Sequence, residues 1–380
     1  MPPTARTTRR VTAAVPGLPA ARGARRIPPV LAQQVRGGIV ESVHRGHVVR
    51  VDETGRVTHV AGDPEAVVTL RSCAKPFTLV ALVEAGGVRD FGLSPAELAL
   101  MASSHSGEDL HVRTLQAVYR RSGLSQALLA CGAEGAPLDA LTAARLARDG
   151  ERAGPIRHMC SGQHSAMLLL ARLGDWSLED YWLPDHPVQV AVREAVARAF
   201  GTTPERLVRA MDSCGIETFA FPLAGVARAY ALLASPDATS ADDPRRALAP
   251  TLRTIRDAMV AHPEMVAGTR ERLDTSLMKA VPRRLISKGG MEALRGVAIL
   301  PDAAGELSSA FAIKVEDGGG FERATWSVTV EALRVAGVLE GQALRVLGRY
   351  HRPVELDPHG RIAAETIPGF DLAPVGELVG

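Results

Sequence analysis

Arg71-Ser72-Cys73-Ala74-Lys75 is the stretch of this chain whose residue types and spacing best suit covalent chemistry. Ser72 and Lys75 are three positions apart, and a helix places such residues on one face. A serine hydroxyl is a weak nucleophile until a base takes its proton, and a lysine becomes that base when burial disfavours its ammonium form. Phe77, Leu79, Val80, Leu82 and Val83 follow with the spacing of a buried helix that ends at Gly86-Gly87. The competing reading is an N-capping Ser72 and a solvated Lys75. Composition favours the chemical one. Of 44 Lys plus Arg, only Lys75, Lys279, Lys288 and Lys314 are lysine. A chain that otherwise writes arginine keeps lysine where a compact, deprotonatable amine is needed.

Further polar islands interrupt apolar helices at 103–108, 158–164, 212–215 and 287–290. Loops of this kind carry function on a rigid scaffold. They hold Ser104, Cys160, Gln163, His164, Asp212, Cys214 and Lys288. Taken singly, each has a structural alternative. Ser104 suits a helix C-terminus, the cysteines suit buried thiols, and His105 and His164 suit histidines that satisfy backbone groups. Asp212 suits a cap or a partner for an arginine.

The elements that position these islands follow from capping and periodicity. Ser94-Pro95-Ala96-Glu97 combines a serine cap, a proline at the first helical position and a glutamate at the third. Helices are expected at 109–121, 139–149, 165–173, 187–200, 204–211, 222–233, 246–261, 270–280 and 323–336, with a polar tail after the last. Strands are expected at 39–43, 47–51, 57–61, 283–287, 296–300 and 310–315. Strands at both ends around a helical middle predict an α+β (mixed α/β) fold rather than alternating βαβ units. Residues 1–36 contain seven arginines and no acidic residue, and are expected to be a disordered basic extension. Arg9-Arg10 resembles a twin-arginine export signal, but Pro16, Pro19 and Arg22 interrupt the apolar stretch that should follow. Residues 37–380 are expected to form a single catalytic domain, with a sheet from about 37–70 and 283–345 and a helical part at about 71–282. A net charge of +2 and 4% aromatic residues give no basis for nucleic-acid binding, and no apolar run suits a membrane span. Four scattered cysteines point to reduced thiols in the cytoplasm rather than a disulfide scaffold.

Read together, Ile39-Val40-Glu41-Ser42-Val43-His44-Arg45-Gly46, Arg71-Ser72-Cys73-Ala74-Lys75-Pro76, Ser103-Ser104-His105-Ser106-Gly107-Glu108, Cys160-Ser161-Gly162-Gln163-His164, Asp212-Ser213-Cys214 and Lys288-Gly289-Gly290-Met291-Glu292 resemble the rhizobial-type, thermolabile L-asparaginase family. The resemblance implies a fold similar to the serine β-lactamases and glutaminases, with a mainly antiparallel sheet from both chain ends and a helical subdomain. It implies hydrolysis of L-asparagine to L-aspartate and ammonia by a homodimer. Ser72 matches the family nucleophile and Lys75 its partner, which is expected to be neutral beside the Lys288 cation. Ser104 and Lys288 match a second Ser–Lys pair. Arg71, His164 and Asp212 match substrate-contacting positions. Cys160 and Cys214 match two zinc ligands. The third family ligand is a lysine, and Gln163 stands there. An amide oxygen is a poor donor at a sulfur-rich site, so a weak or vacant zinc site is expected, and no cofactor is required. Two other readings stay open: a β-lactamase-like or peptidase-like serine acylase, and a non-catalytic paralogue that binds an amino acid.

Overall fold

The computed structural model describes residues 27–302, 305–318 and 323–375. Its main sheet contains β1 (Val30–Arg36), β2 (Ile39–Asp52) and β3 (Val57–Ala61) from one end of the chain. A small second sheet holds β4 (Val67–Thr69), β5 (Val208–Met211) and β6 (Glu217–Pro222) in the order β4-β6-β5. The main sheet is completed by β7 (Leu285–Gly290), β8 (Leu294–Ile299), β9 (Ser309–Val315), β10 (Val354–Leu356), β11 (Ile362–Pro368) and β12 (Ala373–Pro374). Its order is β10-β11-β1-β2-β9-β8-β7, with β3 on β2 and β12 on β3. Every pairing is antiparallel. The fold is α+β, and its sheet is built from both chain ends around a helical middle.

Three local expectations are corrected. Residues 30–36 are not part of a disordered extension, because β1 sits between β2 and β11 in the sheet; residues 1–26 of that segment lie outside the described residues. The tail after residue 345 carries β10 to β12. The buried positions of β11 are Ala364, Thr366 and Pro368, which give almost no apolar alternation to read. The expected helix at 204–211 is a 3₁₀ turn, Pro204–Arg206, followed by β5. Pairing with β6 there outweighs local helix preference.

Two close approaches fix the frame around the polar islands. The Leu223–Ala234 helix packs on β2, β8 and β9. Its Tyr230 ring lies where a side chain on Gly296 of β8 would stand, with a Cβ only 2.3 Å from the ring. The Tyr230 hydroxyl donates to the Cys73 carbonyl at 3.0 Å, so this helix, packed on the sheet, holds the turn that carries Ser72. The Ser161–Leu173 helix crosses the Pro95–Met101 helix, whose capping box at Ser94 and Glu97 is formed as expected. A Cβ on Gly162 would meet the Leu100 carbonyl oxygen at 2.0 Å. Backbone cannot yield as a flexible side chain does, and overpacking of this kind costs about 1–3 kcal/mol. Gly162→Ala is therefore expected to lower the urea midpoint with an unchanged slope, as measured by equilibrium unfolding.

Candidate active site

Ser72 lies in a short 3₁₀ turn, Arg71–Ala74, that leads into the Lys75–Thr78 helix. Arg71 has φ 46°, a conformation that non-glycine residues adopt rarely. Its surroundings hold it there: its N–H donates to Thr218 Oγ1 at 3.0 Å and its Nε to Asp212 Oδ1 at 3.0 Å. Strain of this kind persists where the neighbouring structure over-determines it. Ser72 and Ser104 both line one cavity of about 920 Å³, together with Met159, Arg272 and Gly289.

Ser104 is the hub of the polar contacts. Lys75 Nζ donates to Ser104 Oγ at 3.2 Å, and Lys288 Nζ donates to the same oxygen at 2.7 Å. Lys75 Nζ also reaches the Met159 carbonyl at 3.3 Å and Cys160 Sγ at 3.3 Å. No hydrogen bond among the described residues joins Lys75 to the Ser72 hydroxyl. Lys288, on β7, is fully buried, and burial followed by the Lys75 charge brings its pKa down to about 7. Burial thus makes Lys288 an amine that is partly neutral near pH 7.

Asp274 is a site residue that the sequence reading missed. Its carboxylate accepts from Ser287 Oγ at 2.6 Å and from the Gly289 N–H at 3.1 Å, and it pairs with Arg295. Burial opposes its charge, but Arg295 and Lys288 prevail and hold its pKa at about 2. This anion anchors the strand that carries Lys288. The signal was present as an aspartate between Leu273 and Leu277-Met278 in an expected helix. Arg272 donates to the Ser104 carbonyl at 2.8 Å and fixes that loop.

The residues matched to substrate contacts do not line this cavity. Arg71 and Asp212 form an ion pair at 2.9 Å, with side chains 16% and 15% exposed. His164 is buried, bonds Tyr181 through Nδ1 at 2.7 Å, and is held neutral by burial, with its pKa lowered to about 4. Arg71, Asp212 and His164 are absent from the described cavity lining. At the serine turn, the Arg71 and Cys73 N–H groups are committed to Thr218 Oγ1 and the Leu70 carbonyl, so neither serves an oxyanion.

Cys160 and Cys214 do come together. The neighbouring Cys214 thiol, then Lys75 and His158, hold the Cys160 thiol well below its usual pKa against burial, while Cys160 and burial push that of Cys214 up. Gln163 does not join them. Its amide donates to Thr78 Oγ1 at 3.3 Å. Among the described residues, no group of three His, Cys, Asp or Glu side chains is arranged for a metal. Two sulfurs with a turned-away amide do not fit a zinc ion, which takes a tetrahedral set of good donors.

A family model described as L-asparaginase II matches residues 32–366. The chain belongs to the L-asparaginase II family. Membership makes it an amidohydrolase, acting on a small-molecule substrate. No curated protein matches the chain. Solved structures similar to this family member include the Bacillus subtilis glutaminase YbgJ in covalent complex with 5-oxo-L-norleucine, at 11% identity over 76% of this chain and 88% of that chain, TM-score 0.34. Mglu in its tris and glutamate form is similar at 15% identity over 83% of this chain and 65% of that chain, TM-score 0.37. A second Mglu structure covers 73% of its own chain at 15% identity, TM-score 0.35. No helix among the described residues of this family member is long and apolar enough to cross a membrane.

Proposed function

We propose that this amidohydrolase cleaves the side-chain amide of L-asparagine through a serine acyl-enzyme. The observation that carries the reading is Ser104 Oγ held between the two lysine amines, beside Ser72 in one cavity. Ser72 attacks the amide carbon, and its proton enters the Lys75–Ser104–Lys288 array. The same array returns a proton to the departing nitrogen, and ammonia leaves. Water then cleaves the aspartyl ester, with the neutral Lys288 amine as the ultimate base. A base with a pKa near the working pH is the efficient one, and burial supplies it here. The reading includes a cytoplasmic homodimer, by family resemblance and from the free cysteines.

The test is ammonia release from asparagine and glutamine, with nitrocefin opening followed in parallel. Asparagine turnover without nitrocefin turnover supports the reading, and nitrocefin turnover alone would replace it with a lactamase-like acylase.

The same proposal assigns no resident zinc. Losing one of three ligands weakens a site strongly, since removing even an outer-shell partner costs roughly 10–100-fold in affinity. After gel filtration, the wild type is expected to retain far less than one zinc per chain by elemental analysis. Gln163→Lys, which supplies a nitrogen lone pair, is expected to raise that content. One tightly held zinc per wild-type chain would overturn the assignment.

A further inference from the structure

The cavity above Ser72 and Ser104 is larger than a free amino acid requires. Its volume of about 920 Å³ lies near the top of the roughly 300–1,000 Å³ range of pockets for drug-sized ligands. Asparagine alone would leave most of that space to water, which weakens the electrostatics of an acylation site.

The lining shows what the remaining space suits. Leu141, Leu138 and Met291 line the cavity with 65%, 44% and 36% of their surface exposed. Large aliphatic side chains left open in a concave site, rather than turned into the core, provide apolar surface for a ligand. Trp326 adds an aromatic surface to the same lining and is fixed edge-on against Tyr350, with ring centroids 5.1 Å apart. Arg349 lies over the Tyr350 ring at 4.7 Å and donates to its hydroxyl at 2.7 Å. Among the described residues, no carboxylate pairs with the Arg349 guanidinium. The lining therefore combines apolar surface with charged side chains of both signs, Asp139 and Glu271 as well as Arg270 and Arg349.

Resting on the amidohydrolase reading, we infer that the site takes primary amides of asparagine or glutamine whose α-nitrogen carries an apolar acyl group. The acyl chain lies on Leu138, Leu141, Met291 and Trp326, and Arg349 meets the α-carboxylate that such compounds keep. The reaction is unchanged: amide plus water gives carboxylate plus ammonium, and the acyl group stays on. Contacts far from the reacting carbon supply binding energy that orders and dehydrates the reacting centre, so the extension raises kcat/KM.

The experiment measures ammonia release by the full chain from free asparagine and glutamine, and from N-hexanoyl-asparagine and N-hexanoyl-glutamine. A hexanoylated amide is expected to exceed its free parent by at least about tenfold in kcat/KM, because one methylene in an apolar pocket is worth about 10–200-fold. Trp326→Ala is expected to bring that ratio down about tenfold. Leu141→Ser should lower it too, and because Leu141 is exposed this variant keeps the test independent of folding. Free amides hydrolysed as well as or better than their acylated forms would overturn the inference and leave the amidohydrolase reading standing. Hydrolysis of none of the four would overturn both. An acyl preference untouched by either substitution would remove the chain from this surface and overturn the placement.

Discussion

Ser72→Ala is expected to lower asparagine hydrolysis at least about a thousandfold while the protein stays folded. Ser72 is nearly buried and lines the cavity, and its hydroxyl takes no part in the hydrogen bonds that hold the described structure together. Removing one oxygen should leave the thermal transition close to that of the wild type. Loss of a covalent nucleophile leaves only binding and electrostatic stabilisation, which accounts for the size of the effect. Ammonia release and thermal melting on the same preparation check it. A folded variant with near wild-type release would move the nucleophile to Ser104, whose oxygen both lysines already contact. Ser104→Ala would then show the thousandfold loss instead.

Lys288→Met is expected to cost about 100- to 10,000-fold in kcat, the range for loss of a general acid–base group. Methionine nearly matches the length of the buried stem and needs no hydration, so the strand should survive the exchange. The pH dependence provides a second readout. Lys288 is active as the neutral amine, and its pKa is lowered to about 7 from 10.5. Wild-type kcat/KM is therefore expected to rise with pH through about 7, and the variant to lose that limb. Stability carries the same sign. Between about 7 and 10.5 the unfolded chain holds a proton on this lysine that the folded chain does not. The contribution of this group to stability thus rises with pH across that window and is flat outside it. Urea unfolding of wild type and variant at pH 6 and pH 9, pH values chosen at about one unit or more outside and inside that window, measures the difference.

Much of the candidate site was legible because it rests on residue type. The scarcity of lysine singled out Lys75 and Lys288, and both are in the site, whereas Lys279 and Lys314 are not among the Ser104 contacts. The polar islands at 103–108, 158–164 and 287–290 were visible as breaks in apolar periodicity; the first and last meet at Ser104, and the second meets Lys75. The Ser94–Glu97 cap was legible because it is complete within one helical turn.

The sequence by itself determined which residues are chemically able and where capped or strongly periodic elements such as the Ser94–Glu97 helix start begin. The tertiary structure alone decided their partners. Ser104 and Lys288 are 184 positions apart and share a 2.7 Å hydrogen bond, a contact set by how β7 docks beside the helical middle. Only that packing makes Lys288 the near-neutral amine, because desolvation and the Lys75 charge are properties of the assembled site. It also pairs Arg71 with Asp212, and it turns Gln163 towards Thr78 and away from the two sulfurs. The strands β10 to β12 belong to the same class. β11 buries only Ala364, Thr366 and Pro368, and β10 and β12 bury none of their residues, so their place comes from backbone pairing with β11, β1 and β3 rather than from local pattern. Caps and periodicity act over a few residues and can be read along the chain. Burial, ion pairing and strand partnership depend on distances that exist only once the chain has folded.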